Sequence, residues 1–480
     1  RGVITNKDGG FRLPKRLFTE QDTLQISSMG YQKRDYAIAR LSPIFINIIR
    51  LSSATISLDE AVVSANKKRR LSARRIVQRA IENIPNNYPL FAYSTKGYYR
   101  DYQIDSLGYI NLNEAFLEVF DPGFHQIDTS TTKTIIYDYL KNSDFPRDTI
   151  ADDPYNYRIN SKTIEKAYLS AYGGNEFAIL RIHDPIRNFK LNSFDFVNVM
   201  EAGDVVKNHS FERKLDTHLE GERLFVIELG KKQPGFTAVG KIYISKQDYA
   251  IHKLEYAVYD DRKRNKDVIL REKGIKGALI FEVVTEYRRD ANEKMFLNYI
   301  SFHNSFRLAI APKFVIDSVS MRPGKAIRVD FNGVLGDTAT AEYSGNYKFE
   351  FKKKKLKVTG VDVYSDFTMV QVNLSDKLWG DLVRTVNTRA RKRLGVEDVF
   401  KIEIKNIVDN EGNILDRWTS KHFNQFREFF VQEISKVANT SPDSLLMNMR
   451  KPIFADQPAV KPENYEDYWM NTPFKQLEQQ

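Results

Sequence analysis

Apolar and polar positions alternate along most of this chain in short runs, and the dominant period is two, the period of a half-buried strand. Gly2-Val3-Ile4-Thr5, the polar Asn6-Lys7-Asp8-Gly9-Gly10 and Phe11-Arg12-Leu13 read as strand, tight turn, strand. Leu24-Gln25-Ile26-Ser27, Tyr36-Ala37-Ile38-Ala39 and Ile44-Phe45-Ile46-Asn47-Ile48-Ile49 follow at spacings of roughly ten residues, the rhythm of a β-sandwich. Glu60-Ala61-Val62-Val63-Ser64 closes the series. Residues 1–65 are therefore expected to form a β-sandwich, with Val3-Ile4-Thr5 paired to Phe11-Arg12-Leu13.

The period changes at 66–87. After the basic run Asn66 to Arg70, Ser72 is placed to cap a helix whose face carries Ala73, Ile76, Val77, Ala80, Ile81 and Ile84, and Pro85 ends it. Alternation returns over 88–311, where Leu224–Leu229, Ala238–Ile244, Ile251–Val258, Ala278–Val284 and Phe296–Phe302 predict an antiparallel meander forming a broad curved sheet. Ser245-Lys246-Gln247-Asp248 supplies one of its turns, and 131–175 reads as a helical or loop-rich insert. Residues 312–417 predict a second small sandwich, interrupted by a helical segment at 378–397 that ends Arg389-Ala390-Arg391-Lys392-Arg393. Lys352 to Lys355 are expected at a hairpin or strand end, where they guard an edge. In 418–480, Phe426, Phe429, Phe430 and Ile434 fall on one side of a helix from Phe423 to about Val437, and an extended tail rich in Pro, Tyr and Trp follows. Such a tail is too apolar to stay in water, so it is expected to dock. The fold class is mainly β and multi-domain.

Composition narrows the chemistry. Apolar residues make up 42% of the 480, enough for real cores, and aromatics reach 12%. Lys and Arg exceed Asp and Glu by 11, which suits an anionic partner, although acidic residues are interspersed throughout. With no cysteine, disulfides, thiolate-bound metals and thiol catalysis are excluded. No apolar run reaches the roughly 18 residues of a membrane-spanning helix. The chain carries no Gly-x-Ser-x-Gly, His-Glu-x-x-His, Walker A or Gly-x-Gly-x-x-Gly motif. Its seven histidines are scattered. His183-Asp184 with His209 is the one trio that invites a metal-hydrolase reading, and it requires convergence on one ion. Asp409-Asn410-Glu411-Gly412-Asn413 lacks the terminal bidentate Glu of a calcium loop, Ser420 standing there, and reads as a turn. Tyr98-Tyr99-Arg100-Asp101-Tyr102 is the nearest approach to a nucleic-acid surface, but its alternation fits a strand. Neither an enzyme nor a nucleic-acid partner is expected, and no cofactor or metal.

Residues 1–65, through Gly2–Leu13, Leu24–Tyr31 and Leu58-Asp59-Glu60-Ala61-Val62-Val63, resemble the latter part of the carboxypeptidase-regulatory-like (transthyretin-like) sandwich of Bacteroidota envelope proteins. Ala73 to Arg100 looks like the segment that follows that domain, and 312–417 is similar to bacterial Ig-like domains. The resemblance implies an exported, outer-membrane-associated protein, a lipoprotein or companion of TonB-dependent transporters and β-barrels, with a docking rather than a catalytic role. A membrane link would come from a lipid anchor ahead of Arg1 or from the partner. The residues expected to meet that partner are Arg74, Arg75, Arg389, Arg391 and Arg393 as electrostatic contacts, and Tyr465, Tyr468, Trp469 and Phe474 as apolar anchors. The competing reading is a glycan- or peptide-binding protein that uses the central sheet.

Overall fold

The computed structural model describes residues 2–5, 9–54, 71–105, 108–128, 132–152, 175–192, 205–264, 271, 275–392, 395–436 and 441–474. The chain forms two compact units, Arg1–Phe306 with His422–Gln480 and Arg307–Lys421. The protein is mainly β, as its patterning predicts.

In the first unit, β1 (Thr23–Ile26) and β2 (Arg34–Ala37) make a small antiparallel hairpin. The chain continues through β3 (Tyr93–Asp105), β4 (Gly108–Asp121), β5 (Lys133–Lys141), β6 (Ser210–Arg213), β7 (Thr217–Leu219), β8 (Glu222–Gln233), β9 (Phe236–Ser245), β10 (Ile251–Arg264), β11 (Gly277–Arg289) and β12 (Met295–Ile310). The second unit holds β13 (Ile316–Arg322), β14 (Ala326–Phe331), β15 (Tyr347–Phe351), β16 (Lys354–Val363), β17 (Phe367–Asn373) and β18 (Phe400–Ile404). The last strand, β19 (Thr419–Ser435), returns to the first unit.

There it enters the middle of a sheet. Among the described residues, eleven strands run in the order β5-β4-β3-β19-β12-β11-β10-β9-β8-β6, with β7 also on β8. The meander β8–β12 forms as its alternation predicts. Residues 423–435, expected in a helix, are part of β19 instead. A central strand is buried on both faces, so β19 loses the alternation that marks a half-buried strand, and its phenylalanines fall by chance at helical spacing. Phe426, Glu428 and Phe430 face one side, opposite Tyr102, Arg100 and Tyr98, while Arg427 and Phe429 face the other. Gly97 permits this pairing, since a Cβ there would lie 2.5 Å from the Phe430 carbonyl oxygen and 2.8 Å from the Phe429 ring.

One face of the sheet is the apolar core, with Ile242, Leu254, Phe281, Ile300 and Phe302 buried. The helix Glu176–Ile182 lies on it, its Phe177 ring 5.3 Å from Tyr99 and 5.4 Å from Phe429. The helix Ala73–Glu82 forms as the sequence predicts, capped by the Ser72 hydroxyl, with Ile76, Val77 and Ala80 buried. The expected insert at 131–175 contains β5, while 153–174 lie outside the described residues.

The half-sandwich expected over 1–65 is reduced, among the described residues, to the β1–β2 hairpin. Val3-Ile4-Thr5 and Phe11-Arg12-Leu13 do not pair, and Ile44–Ile49 is not a strand. Among the described residues no neighbouring strand completes a ladder there, and Arg12 and Arg16 donate hydrogen bonds to the C-terminal tail instead. Asn6–Asp8, Leu58–Val63 and Asn66–Arg70 lie outside the described residues.

The second unit is one six-stranded sheet, β13-β14-β17-β16-β15-β18, curled around its own core. The curl is made by β16, which pairs β15 through Lys354–Leu356 and β17 through Lys357–Val363. Lys352 and Lys353 form the β15–β16 turn at φ of +44° and +66°, a left-handed conformation that favours glycine or asparagine. The Asp409 loop is a turn, its carboxylate accepting from the backbone of Glu411 (3.0 Å) and Asn413 (2.7 Å).

Two predictions follow from the central sheet. Gly97→Ala is expected to destabilise the first unit by roughly 3 kcal/mol, because the new methyl group meets backbone that cannot retreat; a urea midpoint equal to the parent's would refute the close approach. The second concerns Asp101, which accepts from Tyr99 Oη (3.1 Å) and Asn113 Nδ2 (2.8 Å). Burial, reinforced by the Glu176 carboxylate, pushes its pKa up to about 7. A folded-state pKa above the unfolded value near 4 gives stability that is complete below about pH 4 and lost as pH rises through about 7. Asp101→Asn should therefore gain on the parent between those limits, by on the order of 2 kcal/mol in denaturant titrations at each pH. Parallel profiles would rule the group out.

Candidate functional site

The second face of the large sheet carries charge where the first carries hydrocarbon. Toward β3, β4 and β19 this face is covered by the C-terminal tail. Tyr468 stacks 4.9 Å from Phe116, donates to Glu433 Oε2 (2.8 Å) and accepts from Lys96 Nζ (3.1 Å). Tyr465 donates to Asp138 (3.1 Å), and Thr472 to Glu114 (2.7 Å). The tail in turn holds the N-terminal segment. Trp469 Nε1 donates to the Arg12 carbonyl (3.0 Å), Arg12 N to Asn471 Oδ1 (2.8 Å), and Arg16 to the carbonyls of Glu466 (2.8 Å) and Tyr468 (2.7 Å). The Arg12 guanidinium lies over the Phe474 ring at 4.6 Å. Farther along, Ser27 Oγ donates to Glu220 (3.0 Å) and Gly30 N to the His218 carbonyl (3.4 Å). The segment is thus tied at both ends and spans the sheet between.

Beneath it lies a cleft of roughly 2970 Å³ with unlike walls. The segment lends apolar side chains such as Leu13, Leu24, Ile26 and Ile38. The sheet lends Glu222, Tyr243, Lys253, Glu286, Arg288 and Arg289. Lys253 Nζ lies 2.8 Å from Glu286 and 3.0 Å from Glu255. Burial alone would lower its pKa, but those two carboxylates hold it above the usual lysine range. Arg289 pairs with Glu222 and Asp248, each at 2.9 Å, and His252 Nε2 is 3.2 Å from Glu222. Burial would raise the Glu222 carboxyl; hydrogen bonds from His252, Arg289 and Ser245 outweigh it and keep the group ionised well below its ordinary range. Burial, aided by Glu255, pushes Tyr243 up to about 12. Arg288 differs from its neighbours. Desolvation lowers its pKa, Glu220 offsets this only in part, and no ion pair to it forms among the described residues. Of the sheet's lysines and arginines that line the cleft, Arg288 is the one without a carboxylate partner among the described residues.

The residues singled out from sequence are dispersed. Arg74 reaches the carbonyls of Val206 and His209 (3.1 Å to the latter) and lies over Phe211; Arg75 is exposed. In the second unit, Arg389 donates to the Gly395 carbonyl (2.6 Å) and lies 3.4 Å from Asp398, Arg391 is exposed, and Arg393 lies outside the described residues. Tyr465, Tyr468, Trp469 and Phe474 do come together. Their contacts are with this chain's own sheet and N-terminal segment, and Tyr468 and Trp469 are buried. His183, Asp184 and His209 do not converge. His183 stacks on Phe302 at 4.1 Å, and burial drives its pKa down to about 3. Asp184 accepts from the Tyr287 hydroxyl (2.6 Å), and His209 Nε2 lies 2.9 Å from Tyr256 Oη. Among the described residues no group of three or more His, Asp or Glu is placed to hold a metal ion. Sequence reasoning passed over Arg288; the signal was an Arg-Arg pair closing an otherwise largely apolar strand.

No family model and no curated protein matches the chain. Among solved structures it is distantly similar to a LolA-superfamily protein from Nitrosomonas europaea, at 10% identity over 49% of this chain and 86% of that one, with a TM-score of 0.20. It is likewise similar to a DUF1329-family protein from Desulfovibrio piger, at 7% identity over 48% and 86% of the respective chains, TM-score 0.22. These likenesses assign no family.

The clasp between tail and N-terminal segment is open to test. Trp469→Ala removes a buried ring and the donor to Arg12, at a cost of about 3 kcal/mol. Trypsin should then cut after Arg12, Lys15 or Arg16 much faster than in the parent, as read by mass spectrometry over a time course. Unchanged cleavage would show that the clasp does not hold the segment.

Proposed function

We propose that this protein is a non-enzymatic scaffold of the bacterial cell envelope, an accessory subunit of an outer-membrane assembly, secretion or TonB-dependent uptake complex. On this reading it grips an extended, acidic-and-apolar segment of its partner in the cleft over β8–β12. The observation that carries the binding role is the asymmetry of that cleft, apolar on the side of the N-terminal segment and charged on the sheet, where Arg288 stands without an ion pair among the described residues while Lys253 and Arg289 are paired. A peptide strand whose side chains alternate between apolar and acidic matches both walls at once. An arginine with no carboxylate partner of its own gains a charge-assisted bond when a carboxylate arrives, which gives the site selectivity as well as affinity. The other charged floor groups are committed to one another in ion pairs, which suits a binding surface better than acid–base chemistry. The envelope setting rests on the sequence resemblance of the Gly2–Leu13 and Leu24–Tyr31 motifs to the regulatory-like domains of such proteins, of which the β1–β2 hairpin is the part that forms among the described residues.

A photo-crosslinking amino acid at Tyr243, activated in intact cells, should capture an outer-membrane protein identifiable by mass spectrometry. Adding Arg288→Glu should cut that yield about fivefold or more while leaving the melting temperature within about 2 °C, as expected for an exposed charge reversal. Capture of a glycan would transfer the site to the sugar-binding reading. Failure to capture anything, or a yield indifferent to Arg288, would overturn the assignment.

A further inference from the structure

We propose that the turn Ser42–Asn47, together with Ile48, is a membrane-contact loop that enters the interfacial layer of an anionic phospholipid bilayer. The same residues also line part of the cleft, and the inference rests on their exposure and on the charges beside them, not on what the cleft binds. Ile44, Phe45, Ile46 and Ile48 are 83%, 76%, 50% and 78% exposed, a contiguous apolar run, whereas other large exposed apolar residues such as Leu215 and Trp418 stand singly.

The run is held in shape. Ser42 N donates to Asn47 Oδ1 (2.8 Å), and Asn47 Nδ2 returns a bond to the Ser42 carbonyl (2.9 Å) and reaches that of Phe45 (3.3 Å). The amides of Ile44 and Phe45 donate to Ser42 Oγ at 3.3 and 3.0 Å. The amides of Ser42, Ile44 and Phe45 and the carbonyls of Ser42 and Phe45 thus spend their hydrogen bonds inside the turn. The backbone groups bonded in this way lose little on leaving water, and the side chains of Ile44, Phe45, Ile46 and Ile48 that remain outside are hydrocarbon. An exposed loop without that internal bonding would have to strip hydrated amides to do the same.

Charge decides the occupant. Between Tyr31 and Ala54 the ionised residues are Lys33, Arg34, Asp35, Arg40 and Arg50. Arg40 and Arg50 flank the turn on both sides, and Arg34 is bonded to the Arg50 carbonyl at 2.8 Å, which adds its guanidinium to the same rim. An apolar tip collared by arginines matches the layering of a bilayer surface, acyl chains inside and phosphates around them. An apolar protein pocket has no need of that collar.

Vesicles of phosphatidylethanolamine with phosphatidylglycerol, and of phosphatidylcholine alone, separate the outcomes in a co-sedimentation assay. The intact chain should bind the anionic vesicles, at least about tenfold more weakly after Ile44→Asp with Phe45→Asp. Arg40→Glu with Arg50→Glu should abolish the preference for anionic over neutral lipid. Phe45→Trp should show a blue-shifted emission on adding anionic vesicles, relative to the parent's own tryptophans. All three substituted surfaces are exposed, so the melting temperature should not move. Absence of binding to anionic vesicles, binding indifferent to the Asp pair, an unshifted emission, or self-association through the loop in place of lipid binding would each overturn the proposal.

Discussion

The buried pair Arg100–Glu428 is the contact on which the first unit is built. Arg100 Nε donates to Glu428 at 2.6 Å with both side chains out of water, and the same carboxylate accepts from Tyr102 (3.0 Å) and Tyr299 (2.7 Å). Those donors sit on β3 and β12, the two neighbours of β19. One carboxylate therefore fastens three strands that lie far apart in sequence. Stranding either charge without the other would cost about 3–5 kcal/mol, so a slip of β19 by one residue, which would turn Glu428 into the apolar core, is strongly penalised. The pair fixes register more than it adds net stability.

The division of labour on the second face follows from that position. Near β3 and β4 the polar groups are numerous and inward-facing, and the tail satisfies them: Thr472 meets Glu114, and Tyr468 meets Glu433 and Lys96. Across β9–β11 the chain spends no such cover. Lysine, arginine and carboxylate pair among themselves along the strands, and the N-terminal segment passes overhead without filling the space. The cleft is what remains where the tail's hydrogen bonds end.

Much of this was legible in the sequence, for identifiable reasons. The strands β8–β12 are each half-exposed over part of their length, so alternation survived, and the helix at 73–82 announced itself by Ser72 and its apolar face. β19 was illegible because burial on both sides erases period two. The pairing of Val3–Thr5 with Phe11–Leu13 failed because a local turn signal says nothing about whether neighbouring strands exist to complete a sheet. The tail's aromatic residues were marked correctly as too apolar for water, yet sequence could not say that the surface they seek belongs to the same chain. Arg288 was hidden by its own neighbour: only coordinates reveal which of two adjacent arginines the local carboxylates satisfy.

The place of β19 also governs the order of events in folding. β3–β5 and β8–β12 can each form as ordinary meanders while the chain is made, but they are joined only through a strand near its far end. At a synthesis rate of roughly 5–20 residues per second, the earlier half-sheet waits many seconds with an open edge before its neighbour exists. Long-range closure of this kind is slow in itself, because the loop entropy must be met before the contacts are made. The large sheet therefore closes from its middle, and late, with the edges of β3 and β12 unpaired until β19 arrives between them.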